Sequence, residues 1–369
     1  MLQQRIRAAG GWLSFDAYMR HALYEPGLGY YSAGARKIGA GGDFTTAPEI
    51  TPLFGRCIAR HCAEVLAGVG GGEILELGAG SGRLACDVLT TLAERGALPA
   101  RYRILEVSAD LRERQRVRIA GLPAPLAALV EWIDTPAREP WRGALIANEV
   151  LDALPVQCFQ WQEGQLVERG VALGPANWPE WKNRPATDAF REEVARLRVD
   201  AGVAWPRGFA SELCPQVGAW IGEVTHAMEQ GVALFVDYGL PRREYYHPHR
   251  KSGTLRCHYR QRAHDDPFAH PGMEDITAWV DFTRVAEAAE SAGLEVMGYT
   301  TQAALLLGLG IEAEVAAAPD EAVRIRRASV VRRLLMPEEM GETFKAIALG
   351  RGCDVPLAGF DVQDLRRML

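Results

Sequence analysis

Residues 73–82 read Glu-Ile-Leu-Glu-Leu-Gly-Ala-Gly-Ser-Gly, and this stretch decides the fold. Ile74, Leu75 and Leu77 form a short apolar run suited to a buried strand, and residues 83–92 (RLACDVLTTL) follow with helical periodicity. A strand that passes through a glycine turn into a helix is typical of nucleotide-type sites. Glycines let the backbone approach a ligand, and the start of the helix offers unpaired N–H groups.

The spacing of the glycines and the acidic residue before them discriminate between nucleotide-type ligands. Gly78, Gly80 and Gly82 are two residues apart, which differs from the G-x-G-x-x-G of a pyrophosphate-binding dinucleotide turn. Glu76, two residues before the first glycine, suits the cationic end of a ligand better than a phosphate. The pattern therefore favours S-adenosylmethionine (SAM), which carries an ammonium group and a positive sulfonium. An accidental glycine-rich turn is the alternative.

Composition limits the class of protein. The 369 residues, 48% hydrophobic, suffice for one large domain with insertions or for two small ones. A net charge of −6 argues against a nucleic-acid partner. The longest apolar stretch, residues 303–311, is too short for membrane insertion, and the absence of a signal-peptide pattern favours the cytoplasm. Seven scattered cysteines without a C-x-x-C pair indicate reduced buried thiols, with no metal expected.

From Ile74 onward, short apolar runs alternate with helical stretches, which predicts a mainly parallel sheet covered by helices on both faces. Seven such runs suit the doubly wound, Rossmann-like α/β sheet of class I SAM-dependent methyltransferases, whose last strand is usually antiparallel. The predicted strands begin at Ile74 and then cover residues 102–107, 129–133, 144–147, 232–236, 294–299 and 343–349.

The N-terminal part is predicted to be helical. Helices are expected over residues 12–24, with Ser14 as N-cap, and from about residue 48 to 66. We expect an N-terminal helical cap with a cofactor-covering loop (1–70), a methyltransferase domain (71–350) and a C-terminal tail (351–369).

Three insertions interrupt the alternation. Residues 156–214 are predicted to form a hairpin followed by a helix near 187–198, and residues 302–336 are predicted to be helical with a basic face. Residues 240–275 are polar and not expected to have a core of their own. Insertions of this length are usually lids or binding surfaces.

The carboxyl ends of the predicted strands supply candidate cofactor contacts, because a doubly wound sheet binds its ligand there. Glu106 is placed to accept hydrogen bonds from a ribose diol, with a solvated carboxylate as the alternative. Asp134 is a candidate for the adenine amino group, or an exposed residue at a strand end. The expected cofactor set further contains the turn and strand-end residues Glu76, Gly78, Ala79, Gly80, Gly82 and Val107.

The fourth predicted strand ends at Asn148 and Glu149, beside the position where the methyl group is transferred. A polar residue there is needed to hold and orient the nucleophile, and plain capping of the strand is the alternative. Both residues are also expected to contact the cofactor. Asp237, at the end of the fifth strand, either faces the substrate or caps the turn.

Two loops are candidates for covering the site. In the glycine-hinged segment 41–46, Asp43 contributes a carboxylate, and Phe44, Thr45 and Thr46 are expected to contact the cofactor; a structural turn is the alternative. Residues 253–260 (GTLRCHYR) are interpreted as a lid, with a solvated loop as the alternative, because their histidines lack metal-ligand spacing.

Several ordered strings together resemble the MidA family. The similarity extends from about Ser14 to Gly350 and rests on YMRHALYEPGLGYYS, GGDFTTAPEITPLFG, ILELGAGSGRLA, ILEVSADLRERQ, IANEVLDALPV, VDYG, YYHPHRKSGTLRCHYRQRAHDDPF and DITAWVDFT. The resemblance implies a SAM-dependent protein arginine methyltransferase. Mitochondrial members serve as assembly factors for respiratory complex I and symmetrically dimethylate an arginine of its quinone-site subunit. Because no presequence is evident, a bacterial cytoplasmic relative is the natural expectation.

The residues are consistent with that chemistry. Arginine is protonated at neutral pH, with a pKa above about 12, whereas attack on a methyl carbon needs a neutral nitrogen lone pair. A carboxylate should therefore bind the guanidinium and take or relay its proton. Glu149 is the first candidate, with Asp43 and Asp152 behind it. Alignment of the nucleophile with the methyl group and the sulfur supplies most of the rate enhancement, so no metal is required.

Two other functions stay open. One is a non-catalytic assembly chaperone that keeps a SAM pocket, although the intact glycine turn, Glu106 and Glu149 count against it. The other is a small-molecule methyltransferase, although the aromatic and basic insertions favour a macromolecular partner. A homodimer is an open alternative to a monomer.

Overall fold

The computed structural model describes residues 1–32 and 46–369. They form two compact units, each drawn from three segments of the chain. The domain division expected from the sequence, with boundaries after residues 70 and 350, remains a prediction. As far as they are described, the first unit consists of Met1–Phe44, Leu151–Val217 and Leu240–Arg284, and the second of Thr45–Val150, Gly218–Gly239 and Val285–Leu369.

Helices range from single turns to 17 residues, and none in the described ranges is long and apolar enough to cross a bilayer. Two short 3₁₀ turns follow near the C-terminus, at Ala358–Phe360 and Arg366–Met368. The α-helices are α1 (Leu2–Ala8), α2 (Phe15–Tyr24), α3 (Ala47–Ile50), α4 (Pro52–Gly68), α5 (Arg83–Glu94), α6 (Ala109–Ile119), α7 (Ala124–Ala127), α8 (Asp188–Ala201), α9 (Val217–Thr225), α10 (Arg242–Tyr245), α11 (Phe282–Ser291), α12 (Gln302–Gly308), α13 (Ile311–Ala316) and α14 (Glu321–Leu335).

Strands are spread over both units. They are β1 (Trp12–Ser14), β2 (Glu73–Leu77), β3 (Tyr102–Leu105), β4 (Val130–Ile133), β5 (Trp141–Asn148), β6 (Gln157–Gln162), β7 (Gln165–Leu173), β8 (Pro179–Pro185), β9 (Ala210–Leu213), β10 (Met228–Leu240), β11 (Arg256–Tyr259), β12 (Arg262–His264), β13 (Asp275–Thr277), β14 (Val280–Asp281), β15 (Glu295–Thr301) and β16 (Phe344–Arg351).

The second unit is built on a sheet whose main path has the order β15-β16-β10-β5-β2-β3-β4. The strands from β10 to β4 pair in parallel. The last strand, β16, is antiparallel to both of its neighbours. This arrangement confirms the predicted doubly wound α/β class with an antiparallel last strand.

Apolar content explains why β2 and β5 lie inside this sheet. Ala144–Ala147 are all buried, as expected for a parallel strand covered on both faces. Phe54 of α4 and Val88 of α5 belong to the same buried cluster as Ile74 of β2. The packed helices thereby fix β2 and the turn that follows it.

The first unit contains two smaller antiparallel sheets. One has the order β1-β7-β6-β9 with β8 added beside β7, and the other has the order β12-β11-β13. The predicted hairpin is confirmed as β6 and β7, and α8 confirms the helix expected near 187–198. The polar insertion 240–275 is more ordered than expected, because Tyr245 and Tyr246 join one buried cluster and Cys257 and Phe268 join another.

The helix predicted from residue 12 is wrong at its start. Trp12–Ser14 form β1, which pairs antiparallel with β7, and α2 begins only at Phe15. Trp12 also donates from its indole Nε1 to the carbonyl oxygen of Lys182, at 2.8 Å. This partner is distant in sequence, so the local apolar spacing could not indicate it.

The predicted helix over residues 48–66 is two helices. Thr51 separates α3 from α4 with an extended backbone (φ −159°, ψ 144°), and its hydroxyl accepts a hydrogen bond from the N–H of Leu53 at 3.3 Å. Pro52 opens α4, and a proline disfavours helical geometry at the residue before it. The break therefore follows from the Thr-Pro pair.

Candidate cofactor and methyl-transfer site

The glycine turn connects β2 to α5 in the second unit. Its backbone is anchored by the N–H of Gly78, which donates to the carbonyl oxygen of Leu105 at the end of β3, at 3.0 Å. Gly80 and Gly82 have φ of 53° and 79°, in the left-handed region that favours glycine. A Cβ on Gly82 would lie 3.3 Å from the Cα of Gln115. The turn thus needs glycine for its conformation and for its close contact with α6.

Glu76 lies on β2, two residues before this turn, and is buried. Its Oε2 accepts a 2.7 Å hydrogen bond from the hydroxyl of Tyr102. Burial raises the pKa of Glu76 to about 8, the Tyr102 hydrogen bond lowers it, and the charge of Glu106 raises it further. No cation of the described residues is among these influences, so a cationic ligand group would stabilise the ionised carboxylate.

Glu106 follows β3 directly and is also buried. Its Oε1 accepts from the N–H of Ser108 at 2.8 Å, and its Oε2 accepts from Nε2 of Gln115 at 2.9 Å. The alternative of a solvated carboxylate is therefore wrong. Both oxygens of Glu106 accept hydrogen bonds from the protein, and a carboxylate oxygen has a further lone pair that can accept from the hydroxyl groups of a ribose diol.

Val107 lies just after the carboxyl end of β3, and Asp134 lies just after the carboxyl end of β4. Both residues are largely exposed. The side chain of Asp134 is 82% exposed and pairs with Nη2 of Arg112 at 2.5 Å. That guanidinium also donates to the carbonyl oxygens of Glu106 and Ile133, at 2.9 and 3.2 Å. Asp134 is thus held at its strand end, and its contact with adenine remains a prediction.

Gln115 was not predicted from the sequence, although it contacts both the glycine turn and Glu106. Its Nε2 donates to the carbonyl oxygen of Gly80 at 3.0 Å as well as to Glu106. A signal was present: Leu111, Gln115 and Ile119 are spaced four apart and form the buried face of α6. A fully buried glutamine on an otherwise apolar stripe needs polar partners.

Asn148 is the last residue of β5, which pairs with β2, and Glu149 follows it directly. Glu149 has φ 55°, an uncommon conformation for a residue other than glycine, and its N–H donates to the carbonyl oxygen of Val236 at 2.9 Å. Nδ2 of Asn148 donates to Oε1 of Glu149 at 2.9 Å. The backbone conformation of Glu149 and the amide of Asn148 together fix the orientation of the Glu149 carboxylate. Backbone conformations as uncommon as this one concentrate at functional sites.

Asp237 supports the same turn from β10. Its Oδ2 accepts from the N–H of Val150 at 3.1 Å, and its Oδ1 accepts from the N–H of Tyr238 at 2.9 Å. These contacts favour the turn-capping interpretation. By holding Val150, Asp237 fixes the backbone immediately after Glu149.

The segment before the sheet is described only from Thr46 onward. Thr46 precedes α3 and has an extended backbone. In the same helix, Glu49 accepts a hydrogen bond from the hydroxyl of Ser81 in the glycine turn. The predicted residues Asp43, Phe44 and Thr45 lie outside the described residues.

Asp152 belongs to the first unit, where it is buried. Its carbonyl oxygen accepts from the N–H of Ala278 at 3.0 Å, and its charge contributes to raising the pKa of Tyr31, after burial and the charge of Asp275. Its catalytic role remains a prediction.

The segment 253–260 is anchored within the first unit. The N–H and hydroxyl of Thr254 donate to Oε1 of the buried Glu212, at 2.8 and 2.6 Å, and Cys257 is buried in β11. A wholly solvated loop is therefore wrong, and the lid interpretation remains a prediction.

The strand order and the glycine turn define a class I methyltransferase. Residues 57–300 match the model of a family of S-adenosyl-L-methionine-dependent methyltransferases, so the chain belongs to this family, the MidA family that its motifs resemble. The protein is thus a SAM-dependent methyltransferase.

Relatives match along nearly the whole chain. The zebrafish (Danio rerio) mitochondrial protein arginine methyltransferase NDUFAF7 is 29% identical, over 91% of this chain and 83% of its own. The human (Homo sapiens) protein of the same name is 27% identical, over 94% and 82%. A COG1565 superfamily member from Burkholderia thailandensis, crystallised with S-adenosyl-homocysteine, is 42% identical with a TM-score of 0.95, covering 100% of this chain and 95% of its own.

The residues of the second unit fit SAM. When bound, SAM supplies a methyl group that is electrophilic because it is attached to a positive sulfonium. The glycine turn leads into the start of α5, where the first backbone N–H groups of the helix can donate to an anionic group of a ligand. The buried carboxylates of Glu76 and Glu106 offer acceptors for an ammonium and for hydroxyl groups.

Proposed function

We propose that this protein transfers methyl groups from SAM to an arginine side chain of a protein, of the complex I subunit type. The observation that carries the proposal is the Glu149 carboxylate, held at the end of β5 by Asn148 and by its left-handed backbone. The names of the relatives, protein arginine methyltransferases that match over more than nine-tenths of the chain, support an arginine of a protein as the substrate.

In this proposal, Glu149 binds the guanidinium of the substrate. A carboxylate pairs with two parallel N–H groups of arginine, which fixes the plane of the guanidinium and the direction of its nucleophilic nitrogen. The amide of Asn148 holds one carboxylate oxygen and so limits rotation of the Glu149 side chain. Glu149 would also accept or relay the proton released as the new N–C bond forms and the methyl group leaves the sulfur of SAM, with S-adenosylhomocysteine as the leaving group; Asp43 and Asp152 are the next candidates for this role.

The cofactor roles are proposed from the same geometry. Glu76 pairs with the ammonium of the methionine part, Glu106 accepts from the ribose diol, and Asp134 contacts the adenine amino group. Val107 contributes apolar contact, and Asn148 and Glu149 lie beside the transferred methyl. Backbone approach is provided by Gly78, Ala79, Gly80 and Gly82, and the preceding segment contributes Phe44, Thr45 and Thr46.

Methylation of a lysate from the source cell tests the proposed substrate. The lysate is incubated with purified protein and SAM carrying a labelled methyl group, and labelled proteins are identified by mass spectrometry. We expect label on an arginine of a protein, absent when the Gly80→Val variant replaces the wild type and strongly reduced when the Glu149→Gln variant does. Label confined to small molecules would favour the small-molecule methyltransferase. No label despite measurable SAM binding would favour the non-catalytic assembly chaperone.

A further inference from the structure

Gln115 connects three separate segments of the second unit. It lies in α6, is fully buried, and uses both the donors and the acceptor of its amide. Nε2 donates to the carbonyl oxygen of Gly80 at 3.0 Å and to Oε2 of Glu106 at 2.9 Å. Oε1 accepts from the indole Nε1 of Trp132, on β4, at 2.9 Å. One side chain therefore joins the glycine turn, the end of β3 and β4.

The backbone of α6 is positioned for this role. Ser108 caps α6, since its hydroxyl accepts from the N–H of Leu111 at 3.3 Å, and its own N–H donates to Oε1 of Glu106. Two turns later the Cα of Gln115 lies 3.3 Å from the Cβ position of Gly82. Glu106 is thus held on one oxygen by the start of α6 and on the other by its middle.

The indole of Trp132 determines which way the amide faces. Because the indole N–H can only donate, it selects the oxygen of Gln115 and leaves the NH₂ group for Gly80 and Glu106. A carboxylate held by fixed donors loses little conformational entropy when a ligand binds. The amide consequently sets the distance between the turn carbonyl and the Glu106 carboxylate before ligand arrives.

We propose that Gln115 is a positioning residue of the cofactor pocket, which acts through Glu106 and the carbonyl of Gly80 to preorganise the site for the ribose diol of SAM. The inference rests on the proposed contact of Glu106 with that diol. It predicts that Gln115 and Glu106 are energetically coupled in ligand binding, which a residue important only for folding would not be.

A double-mutant cycle tests the coupling. Binding of S-adenosylhomocysteine is measured by calorimetry for wild type, Gln115→Met, Glu106→Gln and the double variant, well below their melting temperatures. We expect each single variant to weaken binding roughly 10- to 100-fold, because a buried charged acceptor loses a partner or its charge. In the double variant we expect the loss to be at least about fivefold smaller than the product of the single losses.

Gln302→Met is the matched control. Gln302 is also fully buried in the second unit and donates from Nε2 to the carbonyl oxygen of Leu334 at 3.1 Å, in helices that contain no proposed site residue. This change should lower the melting temperature as Gln115→Met does, yet leave the dissociation constant within about twofold. Equal losses of affinity in both variants would overturn the proposal, because loosening of the fold would then explain them.

The pH profile of Gln115→Glu gives a second readout. Two neighbouring carboxyl groups do not both ionise readily, so at low pH the introduced carboxyl is protonated and donates to Glu106. The affinity of this variant relative to wild type should therefore rise as pH falls. The proposed role of Gln115, and only that role, would be overturned by either of two results. One is a ratio of the affinities of Gln115→Glu and wild type that does not change with pH, and the other is affinity losses in the double-mutant cycle that simply multiply. Unchanged binding in Glu106→Gln would overturn the role of Gln115 together with the ribose assignment, while the proposed arginine chemistry would stand.

Discussion

The hydroxyl of Tyr102 on β3 lies 2.7 Å from Oε2 of Glu76 on the adjacent strand β2. Both residues are buried, and this hydrogen bond only partly offsets the burial that raises the pKa of Glu76 to about 8. A buried carboxylate costs the apoprotein stability once it ionises. The ammonium of the ligand would supply the missing positive charge.

We first predict a pH-dependent gain in stability for Glu76→Gln. The unfolded chain loses the Glu76 proton near the ordinary pKa of about 4.3, whereas the folded protein keeps it up to about pH 8. The stability linked to this proton is therefore complete below pH 4 and is progressively lost towards pH 8. Glutamine does not titrate, so the melting temperature of Glu76→Gln relative to wild type should rise between pH 5 and 8, by several degrees.

Tyr102→Phe provides the opposite change at the same place. It removes the hydroxyl that stabilises the ionised carboxylate, so the pKa of Glu76 should rise further and the loss of stability with pH should extend to higher pH. Thermal melts over the pH series measure both variants. A difference between Glu76→Gln and wild type that does not vary with pH would contradict the raised pKa.

Our second prediction concerns the conformation of the glycine turn. Gly80 has φ 53°, so Gly80→Val adds a β-branched side chain to a left-handed backbone and places it where the ligand must approach. Binding of S-adenosylhomocysteine measured by calorimetry should be abolished. Gly96→Val is the control, because Gly96 has φ 66° with no atom within 4 Å of its Cβ position and lies outside the site.

The two glycine variants separate backbone strain from the effect on the ligand. Both should lose stability by roughly 1–2 kcal/mol or more, since a left-handed backbone is costly for an L-residue with a side chain. Only Gly80→Val should lose ligand affinity. If a folded Gly80→Val protein binds as tightly as wild type, the cofactor does not use this turn.

Strand positions were predictable because the signal in a buried parallel strand is local. The apolar runs at residues 144–147 and 232–236 identify β5 and β10 without knowledge of their neighbours. Once the strands are known, the residues that follow them, such as Glu106 and Glu149, are candidates by topology alone. Their partners are not predictable in this way.

The features that could not be predicted from the sequence depend on contacts between segments that are distant along the chain. Trp12 belongs to a strand because it pairs with Ala172, a residue far away in the sequence. The short apolar segment around Trp12 fits a helix equally well when it is considered alone. The spacing of Leu111, Gln115 and Ile119 in α6 indicates that Gln115 is buried, but it does not indicate which groups the amide contacts. Only the fold places its amide between the glycine turn and Glu106.

Our third prediction distinguishes SAM from a dinucleotide. A ligand that binds only the folded protein stabilises it by about 2.7 kcal/mol at 100 times its dissociation constant. S-adenosylhomocysteine at that excess should therefore raise the melting temperature by several degrees. NAD at the same concentration should leave the temperature unchanged, because the turn lacks the G-x-G-x-x-G spacing. Stabilisation by NAD alone would contradict our interpretation of residues 78–82.

Our last prediction assigns separate roles to Glu149 and Glu106. Glu149→Gln keeps the shape of the side chain and its hydrogen bond from Asn148 but removes the charge that pairs with a guanidinium. We expect a loss of about 2–4 kcal/mol in transition-state stabilisation, or roughly 30- to 1000-fold in rate, with little change in SAM affinity. Glu106→Gln should instead weaken SAM binding first. The rates are measured with the arginine-containing protein or peptide found by methyl labelling.

Glu163→Gln is a suitable control for the Glu149 variant. Glu163 is also a glutamate with a left-handed backbone (φ 49°), but its side chain is 78% exposed and pairs with Arg207 in the first unit. This change should leave both the rate and SAM affinity unaltered, because an exposed ion pair contributes little. Turnover of Glu149→Gln within about threefold of wild type would transfer the proposed role to Asp43 or Asp152. Loss of SAM affinity in Glu149→Gln would instead show that the charge of Glu149 pairs with SAM rather than with the guanidinium of the substrate.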